Sequence, residues 1–272
     1  MTRGALTDAS MRRAMVVLTR YAATMKRLRV DRVEAVATSA VREAANGKGF
    51  VRRVRSSLGI PLRIISGREE ARLISLGVLR ASSSRRPTAV ISIGGGSVQV
   101  MIGEGGPLRY AASLTLGCTR LAQRFIRHDP PRPEEVKAMT RDVRRRLAPV
   151  ARAMRRYRWR QTLGSSSTIG QLVRAAAAGI DAPLSHSSLQ RLVRWLSVST
   201  ADERLRLPGL DPKREALILP TGVVLLSWME LCGVSRLRYA PGSLREGLMM
   251  DSVTRMKAPG LRGLTRPSRV LH

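Results

Sequence analysis

Cysteine is nearly absent from this chain: Cys118 and Cys232 are the only two in 272 residues. They are far apart and lie in no CxxC or Cys/His spacing, which excludes a disulfide framework and a thiolate zinc site and fits a reducing, cytoplasmic setting. Histidine is as sparse. His128, His186 and His272 are isolated, and none has a second ligand at metal-binding spacing. Aromatic residues make up 3% of the chain, too few for the base-stacking platforms of specific nucleic-acid recognition. Trp159, Trp195 and Trp228 are expected to be partial core fillers. Acidic residues number 19 against 49 basic ones, a formal net charge of +30. No apolar run approaches the ~18–20 residues of a membrane span, and Met1–Ala5 lacks the apolar centre of a signal peptide. The expectation is a soluble protein with no membrane partner.

The excess of positive charge suits a polyanion partner. All but five of the 49 basic residues are arginine, spread along the chain and densest over residues 141–160, a skew that a GC-rich coding sequence also gives. Nucleic acid is therefore expected only as a non-specific partner. With 43% hydrophobic residues, the chain is long enough for one large or two small cores.

Apolar positions Met11, Met15, Leu18, Ala22 and Met25 predict an amphipathic helix opened by Thr7 or Asp8. A strand over 33–37, a helix over 40–46, a helix over 50–58 stopped by Gly59, a strand over 62–65 and a helix over 69–80 follow. This alternation argues for α/β layers. The polar stretch 81–87 reads as a linker. Beyond it come strands over 89–93 and 98–102, joined by Gly94-Gly95-Gly96-Ser97, and a strand over 109–116. A helix follows over 119–126, then a long basic helix over 134–156. Thr162-Leu163 enters a second loop, residues 164–167, which opens a helix at Thr168. Helices over 187–196, 212–232 and 244–254 and a strand over 237–240 complete the pattern; the tail from Pro259 shows no periodicity.

Two Gly/Ser loops, each following a strand, offer unhindered amides and hydroxyls that suit phosphate. Glycines serve tight turns equally well, so either loop alone leaves both readings open. Likewise, Glu69 and Glu70 read alone as acids at a helix start, favoured by the macrodipole.

Several segments together resemble, in order, the signatures of the exopolyphosphatase/guanosine pentaphosphate phosphatase (Ppx/GppA) family. They are Ala37-Thr38-Ser39-Ala40-Val41-Arg42-Glu43-Ala44, Ile64-Ile65-Ser66-Gly67-Arg68-Glu69-Glu70-Ala71-Arg72-Leu73, Ile93-Gly94-Gly95-Gly96-Ser97, Gly164-Ser165-Ser166-Ser167-Thr168 and Leu244-Arg245-Glu246-Gly247. Leu207-Pro208-Gly209-Leu210 fits as well, and the similarity covers roughly residues 6–255.

The resemblance implies an α/β, RNase H-like two-lobe fold of the actin/hexokinase type with mixed sheets. The lobes expected are residues 1–84, incomplete, and 85–243, with a helix over 244–255 returning to the first lobe and a disordered basic tail over 256–272. It implies a cytoplasmic hydrolase that removes terminal phosphate from polyphosphate or guanosine pentaphosphate with Mg2+, and admits a homodimer. Glu70 is the implied general base and Glu69 its neighbour. Gly94, Gly95, Gly96, Ser97 and Arg42 are the implied phosphate contacts, with Ser167 and Thr168.

The departures are as specific. The family's hairpin reads Asp-Ile-Gly-Gly-Gly-Ser-Thr-Glu, whereas this chain has Ser92 and Gln99 at the two carboxylate positions, which should weaken magnesium. An opening strand and loop like Asp-Leu-Gly-Ser-Asn-Ser is expected some tens of residues before Thr7, so the chain reads as N-terminally truncated. The alternative reading is a catalytically impaired homologue that binds polyphosphate or guanosine alarmones.

Overall fold

Helix α1 (Asp8–Arg27) begins where the Thr7 hydroxyl accepts from the Ser10 amide, satisfying one of the donors a helix start leaves unpaired. Its predicted apolar stripe packs against Phe50, Val51, Val54, Ile60 and Leu62. This belongs to the smaller of two units into which the contacts divide the chain, Met1–Glu70 with Leu248–His272; the larger is Ala71–Gly247. The computed structural model describes residues 4–81, 86–104, 108–176 and 179–257.

In the smaller unit, β1 (Ala35–Ala37) pairs in parallel with β2 (Leu62–Ile64). Between them lie α2 (Ser39–Arg42) and α3 (Gly47–Leu58). The single helix expected over 40–46 is thus cut short. The Ala45 amide donates to the Gly4 carbonyl at 2.9 Å and not back along the helix, and the Asn46 side chain both donates to the Leu6 carbonyl and accepts from the Leu6 amide, each at 2.9 Å.

Helix α4 (Gly67–Ala81) follows Ser66. The division between the units falls inside α4, not in the polar stretch near residue 84. From Ala71 on, this helix buries Ala71, Ile74, Val78 and Leu79 against Val90, Met101, Leu163 and Ala240, so most of it belongs to the larger core. Residues 82–85 of the expected linker lie outside the described residues.

The larger unit is built on β3 (Thr88–Ile93), β4 (Val98–Gly103), β5 (Leu108–Leu114), β6 (Gln161–Ser165), β7 (Leu184–Ser185) and β8 (Arg236–Tyr239), in the order β5-β4-β3-β6-β8-β7. Strands β5, β4 and β3 are antiparallel, while β3, β6 and β8 run parallel. This mixed α/β order is that of the RNase H-like fold. Side chains alternate across the sheet. Ala89, Ile91, Ile93, Val98, Val100 and Ile102 face the main core, whereas Val90 and Met101 face α4.

The main core is roofed by α5 (Cys118–Phe125), α6 (Pro133–Met154), α7 (Ser167–Ala176), α8 (His186–Leu196) and α10 (Glu215–Cys232), with α9 (Ala201–Leu205) beside them. Contrary to the expectation that no apolar run approaches a membrane span, Pro212–Cys232, which contains α10, is by length and composition apolar enough to cross one. In this fold Ile218, Val224, Leu225, Trp228 and Met229 are fully or almost fully buried among the other helices. A helix apolar on all sides is as much the mark of a core as of a bilayer.

Trp228 is completely buried, Trp159 partly so, and Trp195 is 40% exposed. Helix α11 (Leu244–Lys257) is longer than expected, and the contact division falls between Gly247 and Leu248, within it. The tail from residue 258, including His272, lies outside the described residues.

Candidate functional site

The hairpin between β3 and β4 turns on Gly95 and Gly96, closed by a hydrogen bond of 2.9 Å from the Gly94 amide to the Ser97 carbonyl. None of its glycines has a positive φ, so conformational freedom does not explain them. Space does. A Cβ on Gly95 would lie 2.8 Å from Thr119 Oγ1, and one on Gly117 would lie 2.2 Å from the Gly95 carbonyl oxygen.

The start of α5 is pressed against the turn, and its first amides are satisfied there. Cys118 and Thr119 N–H donate to the Gly94 and Gly95 carbonyls at 3.0 and 3.1 Å, and Arg120 Nε donates to the Gly96 carbonyl at 2.9 Å. The carbonyls of the turn are thereby spent on α5. Its amides are not: among the described residues no acceptor takes the N–H of Gly95 or Gly96. Burial pushes the Cys118 thiol pKa up, and the thiol donates to the Gly94 carbonyl at 3.4 Å, so it is packing and not a nucleophile.

The second loop is shorter than expected. Gly164 and Ser165 belong to β6, and Ser167 already opens α7, leaving Ser166 alone as the turn. It adopts φ 126°, strained backbone for a residue with a side chain and a conformation found preferentially at functional sites. Its hydroxyl accepts from the Ile169 amide at 3.3 Å. The Ser167 and Thr168 amides, at the positive end of α7, meet no acceptor among the described residues. Because β3 and β6 are parallel neighbours with Ser92 opposite Ser165, both turns leave the same edge of the sheet. Two pairs of open amides at the carboxyl ends of adjacent parallel strands are chemically suited to receive an anion.

Register adds residues that the sequence did not bring together. Ser113, Gln99, Ser92 and Ser165 are successive cross-strand neighbours over β5, β4, β3 and β6. Gln99 Nε2 donates to Ser97 Oγ at 2.8 Å and to Ser113 Oγ at 3.2 Å, and Ser165 Oγ donates to the Gly242 carbonyl at 2.5 Å. Ser92, Ser97, Gln99, Ser165 and Thr168 are all buried. This row carries hydroxyls and an amide and no charge.

In the smaller unit, Ser66 precedes α4, its hydroxyl accepting from the Glu69 amide at 3.1 Å. Glu70, only 6% exposed, takes Arg42 Nη1 on Oε2 at 2.9 Å, and the same Nη1 donates to the Ile65 carbonyl at 3.0 Å. Parallel pairing of β1 with β2 sets Arg42 beside Glu70. Glu69 points elsewhere, to Arg63 at 2.7 Å, and Ser39 Oγ donates to Glu43. Arg42, expected as a phosphate contact, holds the buried carboxylate of Glu70.

The Mg2+ implied by the resemblance finds no fit on the hairpin. The cation prefers anionic oxygen, whereas Ser92 is neutral and Gln99 turns its N–H groups, the positive end of the amide, toward Ser97 and Ser113. Among the described residues no three His, Cys, Asp or Glu side chains are grouped to hold a metal ion. His128 accompanies Glu135, and His186 lies near Glu230.

The chain is similar to known proteins over nearly its whole length. A family model described as the Ppx/GppA phosphatase family matches residues 1–256. A guanosine-5'-triphosphate,3'-diphosphate pyrophosphatase of Vibrio vulnificus is 28% identical over 96% of this chain and 53% of its own length, and one of Vibrio parahaemolyticus is 29% identical over 96% and 52%. The chain thus spans about half the length of the curated relatives it matches. Among solved structures, an exopolyphosphatase from Cytophaga hutchinsonii is 28% identical with a TM-score of 0.83, covering 93% of this chain and 85% of that one. The Aquifex aeolicus Ppx/GppA family member is 25% identical with a TM-score of 0.78, over 94% and 85%. With a match that runs from the first residue through α11, the chain belongs to the Ppx/GppA phosphatase family.

Proposed function

We propose that this chain binds a phosphate chain on the paired turns Gly94–Ser97 and Ser165–Thr168, and that it hydrolyses the terminal phosphoanhydride of inorganic polyphosphate or of guanosine pentaphosphate. The observation that supports this most is the pair of turns at one sheet edge, each with two N–H groups that no described residue accepts. In the reaction, water attacks the terminal phosphorus and the bridging P–O bond breaks. The shortened chain leaves with the electron pair, and the proton of the water passes to a carboxylate. Glu70 is the carboxylate proposed for that role. Its Oε2 is held by Arg42 Nη1 at 2.9 Å, which fixes the direction in which the carboxylate meets a water and takes its proton, the positioning that phosphoryl transfer requires.

Phosphate released from polyphosphate and from guanosine pentaphosphate by the parent chain and by Glu70→Gln tests this. Glutamine keeps an acceptor for Arg42 but cannot take a proton, and a loss of about 10²–10⁴-fold is expected for a general base. Equal rates in the two proteins refute the catalytic role. The uncharged row Ser113–Gln99–Ser92–Ser165 favours one second reading, a non-catalytic binder of polyphosphate or guanosine alarmones; it predicts tight polyphosphate binding with no release of phosphate from either protein.

A further inference from the structure

We infer that the hairpin site of the larger unit takes its phosphate anion without a divalent cation of its own, and that Gln99 is the positioning residue that makes this so. The inference rests on the anion site proposed above and concerns how that site meets charge. Gln99 is 2% exposed and spends Nε2 on Ser97 Oγ and Ser113 Oγ. A hydroxyl that accepts from residue 99 directs its own proton away from residue 99.

A carboxylate at position 99 would reverse that polarity. Ser97 would donate to it, and negative charge would stand at the back of the turn, tolerable beside phosphate only with a cation between them. The same holds at Ser92, the cross-strand neighbour of both Gln99 and Ser165. The site therefore offers an anion the N–H groups of Gly95, Gly96, Ser167 and Thr168, dipoles already oriented, beside a row that carries no charge. It offers a cation neutral oxygens and the N–H face of an amide. With 49 basic residues against 19 acidic ones, the protein also carries a long-range field that attracts phosphate and repels Mg2+.

The test uses the full chain and two probes. Calorimetric titration with tripolyphosphate is run in 5 mM Mg2+ and in EDTA, and Mn2+ alone is titrated against the protein by water-proton relaxation. The dissociation constant for tripolyphosphate should change less than about 3-fold between the two buffers, and Mn2+ should show no site tighter than millimolar. In Ser92→Asp/Gln99→Glu, binding in EDTA should weaken 10-fold or more, return in Mg2+, and be accompanied by a Mn2+ site. A residue that served only to fold the hairpin would not give recovery by metal.

Loss of binding by the parent in EDTA alone, or a submillimolar Mn2+ site in the parent, overturns the inference and leaves the anion site standing. Absence of binding in both buffers overturns the anion site and the inference with it. Should the double variant fail to fold, the two parent titrations decide the matter.

Discussion

Replacing Gly95 by alanine puts a methyl group 2.8 Å from Thr119 Oγ1, well inside contact distance, on the turn whose amides form half of the proposed anion site. Because the turn is pinned to α5 through the Gly94, Gly95 and Gly96 carbonyls, it cannot slide away without losing those bonds. Overpacking of this kind costs about 1–3 kcal/mol. At about 2–4 °C per kcal/mol for units of 150–250 residues, the melting temperature should fall by several degrees and phosphate affinity with it.

The clash is with a single side chain, so it can be relieved. In Gly95→Ala/Thr119→Ala the hydroxyl is gone and the nearest remaining atom, the Cβ of residue 119, lies at an ordinary 3.6 Å. The double variant should melt within about 1 kcal/mol of Thr119→Ala, a positive coupling typical of residues in contact. Gly117→Ala is the control. Its Cβ would meet the backbone of Gly95 and Gly96 at 2.2–2.4 Å, where there is no side chain to trim, and Thr119→Ala should not rescue it. Thermal denaturation followed by circular dichroism reads the parent and all five variants, Gly117→Ala/Thr119→Ala included. Parent-like melting of Gly95→Ala, or rescue of Gly117→Ala by the same second change, refutes the reasoning.

Other consequences are as direct. Ser166→Gly should release the strain of φ 126° while losing the serine cap, ending within about 1 kcal/mol of the parent, whereas Ser166→Ala keeps the strain, loses the cap and should cost about 1–2 kcal/mol; urea unfolding separates them. Arg204, 6% exposed, is held by Asp129, Glu215 and the Ser199 carbonyl, so Arg204→Met should strand the largely buried Glu215 carboxylate and cost about 3 kcal/mol in the same assay. Burial pushes the Asp142 carboxyl up, but the Arg145 hydrogen bond and the Arg146 and Arg124 charges outweigh it and hold the pKa below its usual value. A lowered pKa gives stability that is present above about pH 4, the ordinary aspartate value, and lost as pH falls below it. Asp142→Asn should therefore be less stable than the parent at pH 7, with the gap closing on acidification. Burial, opposed by the Arg155 charge, raises the Cys232 pKa to about 11, so both thiols should react slowly with a disulfide reagent at pH 8 and quickly once unfolded.

The strand–turn–strand order and both glycine/serine turns were legible from local signals: apolar runs of strand length, punctuated by residues that pack or bend tightly. What could not be read was decided by pairing between distant segments. The uncharged row needs the register of β5, β4, β3 and β6, because Ser113, Gln99, Ser92 and Ser165 become neighbours only when those strands align. The Arg42–Glu70 contact spans 28 residues and follows from the parallel β1–β2 pair, each of whose strands is three residues long. The end of α2 has a similar cause, since the Ala45 amide donates to the carbonyl of the distant Gly4. Pro220 is buried inside α10, so the helix runs through a residue that ordinarily ends one.

The central claim, that the two turns are one anion site, is tested most directly by following backbone amide resonances of ¹⁵N-labelled protein during titration with tripolyphosphate. The amides of Gly95, Gly96, Ser167 and Thr168 should shift together and fit a single dissociation constant. Shifts confined to the arginines of α6, or different constants for the two turns, would contradict it.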